Sequence, residues 1–99
     1  MGWDGDDIRL RTDEKELHGF WIDLGSGMVK DAIWSRIDVL CQRELEEVAT
    51  SQEGKLYRDP TDGRYWERCP RRPELGESSP PFLAVLDADE ARRRYELGA

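Results

Sequence analysis

Lys55-Leu-Tyr-Arg-Asp-Pro-Thr-Asp-Gly-Arg-Tyr-Trp-Glu67 is the stretch that decides the fold. Asp59 can accept backbone N–H bonds from the residues two and three places on, and Pro60 presets φ for the second position of a type I turn. Gly63 supplies the left-handed conformation that lets the chain double back. The flanks are β-formers, with Leu56 and Tyr57 before the turn and Tyr65 and Trp66 after it. A four-residue loop sets the register: Asp59 opposite Arg64, Arg58 opposite Tyr65, Tyr57 opposite Trp66. The spacing therefore predicts antiparallel pairing of 55–59 with 64–68. The Tyr57–Trp66 pair adds about 0.5–1 kcal/mol beyond simple burial. A lone hairpin is marginal in water, so the rest of the chain must cover it.

Upstream of the hairpin, Val48-Ala-Thr-Ser51 followed by Gln52-Glu-Gly54 reads as a strand and turn. Leu45 and Val48 would equally extend a preceding helix. The strand is favoured because the hairpin needs a third partner. That preceding helix is predicted over 30–41, where Ile33, Trp34, Ile37, Leu40 and Cys41 make one apolar stripe at helical spacing. Asp31, near its N-terminus, suits the helix dipole. Leu17-His-Gly-Phe-Trp-Ile-Asp-Leu24 reads as a strand in which Gly19 marks a bulge or a close approach, and Gly25-Ser-Gly27 ends it as a turn. Residues 1–12, with Trp3, Ile8 and Leu10 among acids, read as a loosely ordered start, or as one carrying a short strand at Ile8–Arg11.

Downstream, Cys69 to Pro81 holds four prolines and reads as an exposed connecting loop without regular structure. Phe82-Leu-Ala-Val-Leu86 has strand length. Asp87 then caps a closing helix over 88–96, with Glu90 three places on in capping-box position, Ala91 and Tyr95 on one side, and Gly98 as the stop. The expected fold is α+β: a small antiparallel sheet around the hairpin, one amphipathic helix and a short C-terminal helix, in one domain over 13–97.

The chain's 99 residues allow one core. Charged and hydrophobic residues each make up 37%, near the disordered border, but four Trp, three Tyr and two Phe argue for a folded domain. Fifteen basic against twenty-two acidic side chains leave a net charge of −7, which disfavours nucleic acid and anionic membranes. Arg92-Arg93-Arg94 is the one basic triplet, and among Glu90 and Glu96 it reads as a solvated helix face. A basic partner fits this charge better than an acidic one. The absence of an export signal or transmembrane run implies a reducing, cytoplasmic setting, with Cys41 and Cys69 as thiols.

No catalytic or metal-binding set is legible. His18 has no nucleophile in a recognisable local motif and reads as structural. With Cys41 and Cys69 it offers only three of the four ligands a structural zinc needs. Asp59 and Asp62 could be a carboxylate pair, but their spacing is fully explained by turn chemistry. No phosphate-binding loop, dinucleotide fingerprint or zinc-protease motif occurs. Taken alone, the residues describe a small acidic α+β domain suited to binding, with no cofactor or metal expected.

Leu56-Tyr-Arg-Asp-Pro-x-Asp-Gly-Arg-Tyr-Trp-Glu67 resembles the signature of the immunity protein 27 family of bacterial polymorphic toxin systems. Glu16-Leu17-x-Gly19-x-Trp21, Asp31 with Arg36-Ile37, Pro80-Pro81, and Glu90-Ala91 to Tyr95 agree in order and spacing, so the resemblance covers about 13–95. Glu77-Ser78-Ser79 stand where the family carries a glycine-rich run. The resemblance implies a monomer that binds one cognate toxin domain in the producing cell and neutralises it without chemistry. Alternatives from other classes are a regulatory adaptor that captures a peptide on an open sheet edge, and a small enzyme, which the empty catalytic search disfavours. For a basic toxin, the expected contact surface is acidic: Glu44, Glu46, Glu47 and Glu53 beside the hairpin, with Asp59 and Asp62 at its tip. Taken singly, each of these is ordinary solvated surface.

Overall fold

The computed structural model describes residues 8–52 and 54–96. Along the chain run β1 (Glu16–His18), β2 (Trp21–Asp23), β3 (Met28–Lys30), α1 (Ala32–Val39), β4 (Glu46–Thr50), β5 (Lys55–Arg58), β6 (Tyr65–Pro70), β7 (Pro81–Leu86) and α2 (Ala88–Tyr95). A π-helical turn, Leu40–Glu44, prolongs α1, and two 3₁₀ turns kinked at Gly76 occupy Pro73–Ser78. Trp3, Glu53 and Gly98 lie outside the described residues.

The hairpin forms in the expected register, with Arg58 against Tyr65 and Tyr57 against Trp66. Asp59 Oδ1 accepts from Thr61 N at 2.8 Å, its carbonyl accepts from Gly63 N at 2.7 Å, and its own N–H donates to the Arg64 carbonyl at 2.9 Å. Gly63 has φ +80°. Around it the chain builds an antiparallel five-stranded sheet in the order β1-β7-β6-β5-β4. β2 and β3 pair with each other in a separate two-stranded ribbon.

Alternation along the strands sorts the side chains onto two faces. On one, Leu17, Tyr57, Trp66 and Leu83 join Ile37, Leu40, Leu45 and Ile8 in the core cluster beneath α1. Leu56 and Glu67, paired with each other, point to the opposite face. There α2 covers the sheet: Ala91 is fully buried, and Tyr95 Oη and Arg94 Nη1 donate to the two oxygens of Glu67 at 2.7 and 2.9 Å.

The structure corrects the sequence reading at five places. The strand expected over 17–24 splits at Gly19–Phe20 into β1 and β2, which belong to different sheets. The cause is close approach: a Cβ on Gly19 would stand 2.8 Å from Pro81 Cδ and 3.1 Å from Trp34 Cβ. The first helix begins at Ala32, because Asp31 is its N-cap and Lys30 ends β3. It also runs past Cys41, and Leu45 N closes its last turn on the Leu40 carbonyl at 2.8 Å before β4 begins. Cys69 and Pro70 belong to β6, opposite Phe82 and Pro81. Proline is tolerated there because the ladder ends with the Pro70–Pro81 pair. Ser79, expected in an exposed loop, is buried; its Oγ accepts from Arg72 N at 2.8 Å. Ile8–Arg11 makes no strand; instead Ile8 is buried in the core. α2 reaches Tyr95 as expected from its Asp87 cap, and Glu96 closes it in the left-handed conformation at φ 51°. Cys41 and Cys69 are thiols, not joined in a disulfide.

Candidate partner-binding surface

Most of the polar signature residues are turned inward, holding the fold. Asp31 Oδ1 accepts from both Trp34 N and Phe20 N at 2.9 Å, joining the start of α1 to the base of the β2–β3 ribbon. Arg36, from α1, makes a bidentate pair with Glu14, both bonds 2.7 Å, and donates to the carbonyls of Ile8 and Arg9 at 2.9 and 2.8 Å. The Arg36 guanidinium holds the Glu14 carboxyl down at about 2, from an ordinary 4.5. From the hairpin, Arg64 donates to the carbonyls of Glu14 at 2.7 Å and Arg11 at 3.0 Å, while Asp62 fixes its Nε at 2.7 Å and its plane lies 4.9 Å over the Trp66 ring. Two arginines thus strap residues 8–14 across the core. Sequence reasoning did not find Glu14 as the partner of Arg36, since 22 positions separate them.

The acids expected at a binding surface do not form one patch. Glu46 and Glu47 are neighbours on the edge strand β4 and so point to opposite faces of the sheet. Glu46 approaches Arg58 at 3.9 Å, Glu47 approaches Lys55 at 3.5 Å, and Glu44 approaches Arg9 at 3.7 Å. These are long, solvated pairs of little energetic weight, so the glutamates are available to another cation. Asp59 is buried in the turn and Asp62 is engaged with Arg64. Glu53 lies outside the described residues.

Among the described residues no arrangement suited to chemistry stands out. His18 stacks on Phe82, with ring centroids 4.6 Å apart, and has Glu16 beside it at 3.4 Å. Burial pushes the Cys41 thiol up, which disfavours the nucleophilic thiolate. Among the described residues no group of three or more His, Cys, Asp or Glu could hold a metal ion. A groove of about 350 Å³ is lined by Thr50, Gln52 and Gly54 on one side and by Gly76 and Glu77 on the other, with Arg68 and Cys69 in its wall. No described helix is long and apolar enough to cross a membrane.

The large apolar side chains that are exposed concentrate on the ribbon. Phe20, Trp21, Ile22, Leu24, Met28 and Val29 are all exposed, Leu24 at 61% and Met28 at 53%. The alternation of apolar residues at 20, 22 and 24 before Gly25-Ser-Gly27 was the signal for this surface. It was masked because the run read as one strand of the main sheet. Neither a curated protein nor a solved structure matches the chain. The family model of Immunity protein 27 matches residues 23–87, about two thirds of the sequence and inclusive of the hairpin signature. The chain therefore belongs to the Immunity protein 27 family.

Proposed function

We propose that this protein binds a cognate polymorphic-toxin domain in the cytoplasm of the producing cell and neutralises it stoichiometrically, without catalysis. Family membership carries the reading. The charge of −7 agrees with it, since a basic toxin would be drawn to such a surface and encounter would be fast at low salt. Self-protection demands that almost no toxin stays free, so the affinity should be nanomolar or better, about −12 kcal/mol. The acidic contribution to encounter comes from Glu44, Glu46 and Glu47, joined by Glu53 further along the sequence. Asp59 and Asp62 serve mainly to shape the hairpin tip.

Peptide capture on the β4 edge is the runner-up. That edge has five residues, and a register shift between Glu47 and Ala49 interrupts its ladder. Such an irregularity blunts strand addition. The deciding experiment is co-expression with the toxin gene adjacent to this one, followed by co-purification. A one-to-one complex and rescued growth are expected. A wild-type protein that neither binds that toxin nor protects cells against it would end the immunity reading.

A further inference from the structure

The β2–β3 ribbon has a face that the other described residues leave exposed. Its register sets Ile22 opposite Val29, and Trp21 opposite Lys30. Trp21 turns toward α1, meeting Trp34 edge-on at 4.8 Å and donating its indole N–H to the Ser78 carbonyl at 2.9 Å. The alternate positions, Phe20, Ile22 and Leu24 with Val29, therefore share the other face, and all four are exposed. Arg71 sits at the margin, its guanidinium 4.4 Å above the Phe20 ring and bonded to the Gly19 carbonyl at 3.0 Å.

We propose that this face, Phe20-Ile22-Leu24 with Val29, is the apolar anchor of the toxin interface, and that the acids of β4 steer encounter without forming its centre. The inference rests on the immunity reading. Contiguous exposed apolar residues with an aromatic member and a polar rim are the anatomy of an interface core. The ribbon's charged groups are already engaged: Asp23 Oδ1 accepts from Gly25 N at 2.8 Å, and Lys30 lies 4.9 Å over the Trp34 ring and 3.9 Å from Asp38. Docking there leaves these groups paired, and the Arg71 guanidinium at the margin keeps its bond to the Gly19 carbonyl, which limits the usual penalty of burying charge. The signature residues, by contrast, are spent inside the fold and leave little to offer a partner.

Charge selects the occupant. A second copy would bring another −7 against this one, and the repulsion opposes ribbon-to-ribbon pairing. A basic protein is attracted instead. The occupant is therefore a basic toxin domain presenting an apolar cleft or strand to the ribbon.

The test uses this 99-residue chain and a toxin domain encoded beside its gene, produced in catalytically disabled form. The triple variant Ile22→Thr, Leu24→Gln, Val29→Thr keeps strand-compatible side chains while removing the apolar face. Wild type should bind tightly, and the variant about 100-fold more weakly, with unchanged far-ultraviolet dichroism and melting. Amide hydrogen exchange on the wild-type complex should slow across 20–30, and this measurement decides the matter if the variant does not fold. Wild-type binding with a loss under about tenfold in a folded variant, or with unchanged exchange across 20–30, overturns the anchor and leaves the immunity reading standing. Absent wild-type binding overturns both. Light scattering that finds a dimer of the free protein, dissociated by the triple substitution, would assign the face to a second copy and overturn the proposal.

Discussion

Glu14→Gln is the most informative single change to the fold, because it removes one charge and almost no volume. Glu14 and Arg36 are 12% and 13% exposed, so solvent screens their pair little. Moving a carboxyl from 4.5 to about 2 corresponds, at about 1.4 kcal/mol per pH unit, to a ceiling of about 3.5 kcal/mol. The substitution also leaves Arg36 half-paired, though its bonds to the Ile8 and Arg9 carbonyls remain. A loss of about 2–3 kcal/mol in urea unfolding at pH 7 is expected. The sign with pH follows from proton counts. Because the folded state holds this carboxyl at the lower pKa, it binds fewer protons than the unfolded state between about 2 and 4.5. The stabilisation is complete above 4.5 and is lost as pH falls toward 2. Other carboxylates titrate in the same range, so the quantity to follow is the gap between wild type and variant. It should close on acidification. A gap below about 0.5 kcal/mol at pH 7, or one that stays constant from pH 7 down to pH 2.5, refutes the reasoning.

Gly63→Ala should cost about 1 kcal/mol or more, seen as a lowered melting temperature, since φ is +80° there. Gly54→Ala should cost about 1–3 kcal/mol in denaturant unfolding, because its Cβ would stand 2.5 Å from the Arg68 carbonyl oxygen and 2.7 Å from Cys69 Sγ. Reversing Glu44, Glu46 and Glu47 to lysine should slow association with a basic toxin domain at low salt in stopped-flow mixing and leave the melting curve in place. Equal on-rates would remove the steering role without touching the apolar anchor.

The hairpin was legible to the residue because its turn is local chemistry: Asp59, Pro60 and Gly63 act within five positions of one another. The same holds for the Asp87 cap of α2 and for β7. What escaped was set by distant contacts. Gly19 read as a bulge or a close approach, but only the packing of Pro81 and Trp34 against it shows why the strand must break there. Lys30 read as the first residue of the helix, yet it ends β3 opposite Trp21, beside the Val29–Ile22 pair, and Asp31 serves the helix from just outside it. The four prolines of 70–81 suggested loop, while neighbouring backbone groups still pair, as in the bond from Arg71 N to the Pro80 carbonyl at 2.8 Å. The acidic surface failed as a single patch for a simpler reason: adjacent residues of a strand face opposite ways, which a count of charges along the sequence does not register.

The ribbon is closed at its own base. Asp31 N donates to the Phe20 carbonyl at 3.0 Å, Phe20 N donates to the Asp31 carboxylate, and Gly19 N is tied to the Pro81 carbonyl at 2.9 Å. Residues 21–30 therefore leave and re-enter the domain at a hydrogen-bonded neck, with Trp21 and Lys30 seated against Trp34 beside it, as an exchangeable cassette does. A lineage can rewrite the cassette's exposed face while Arg36, Arg64 and Glu67 keep the body folded. Transplanting 21–30 from one family member into another should carry partner choice with it and leave the recipient's melting temperature nearly where it was.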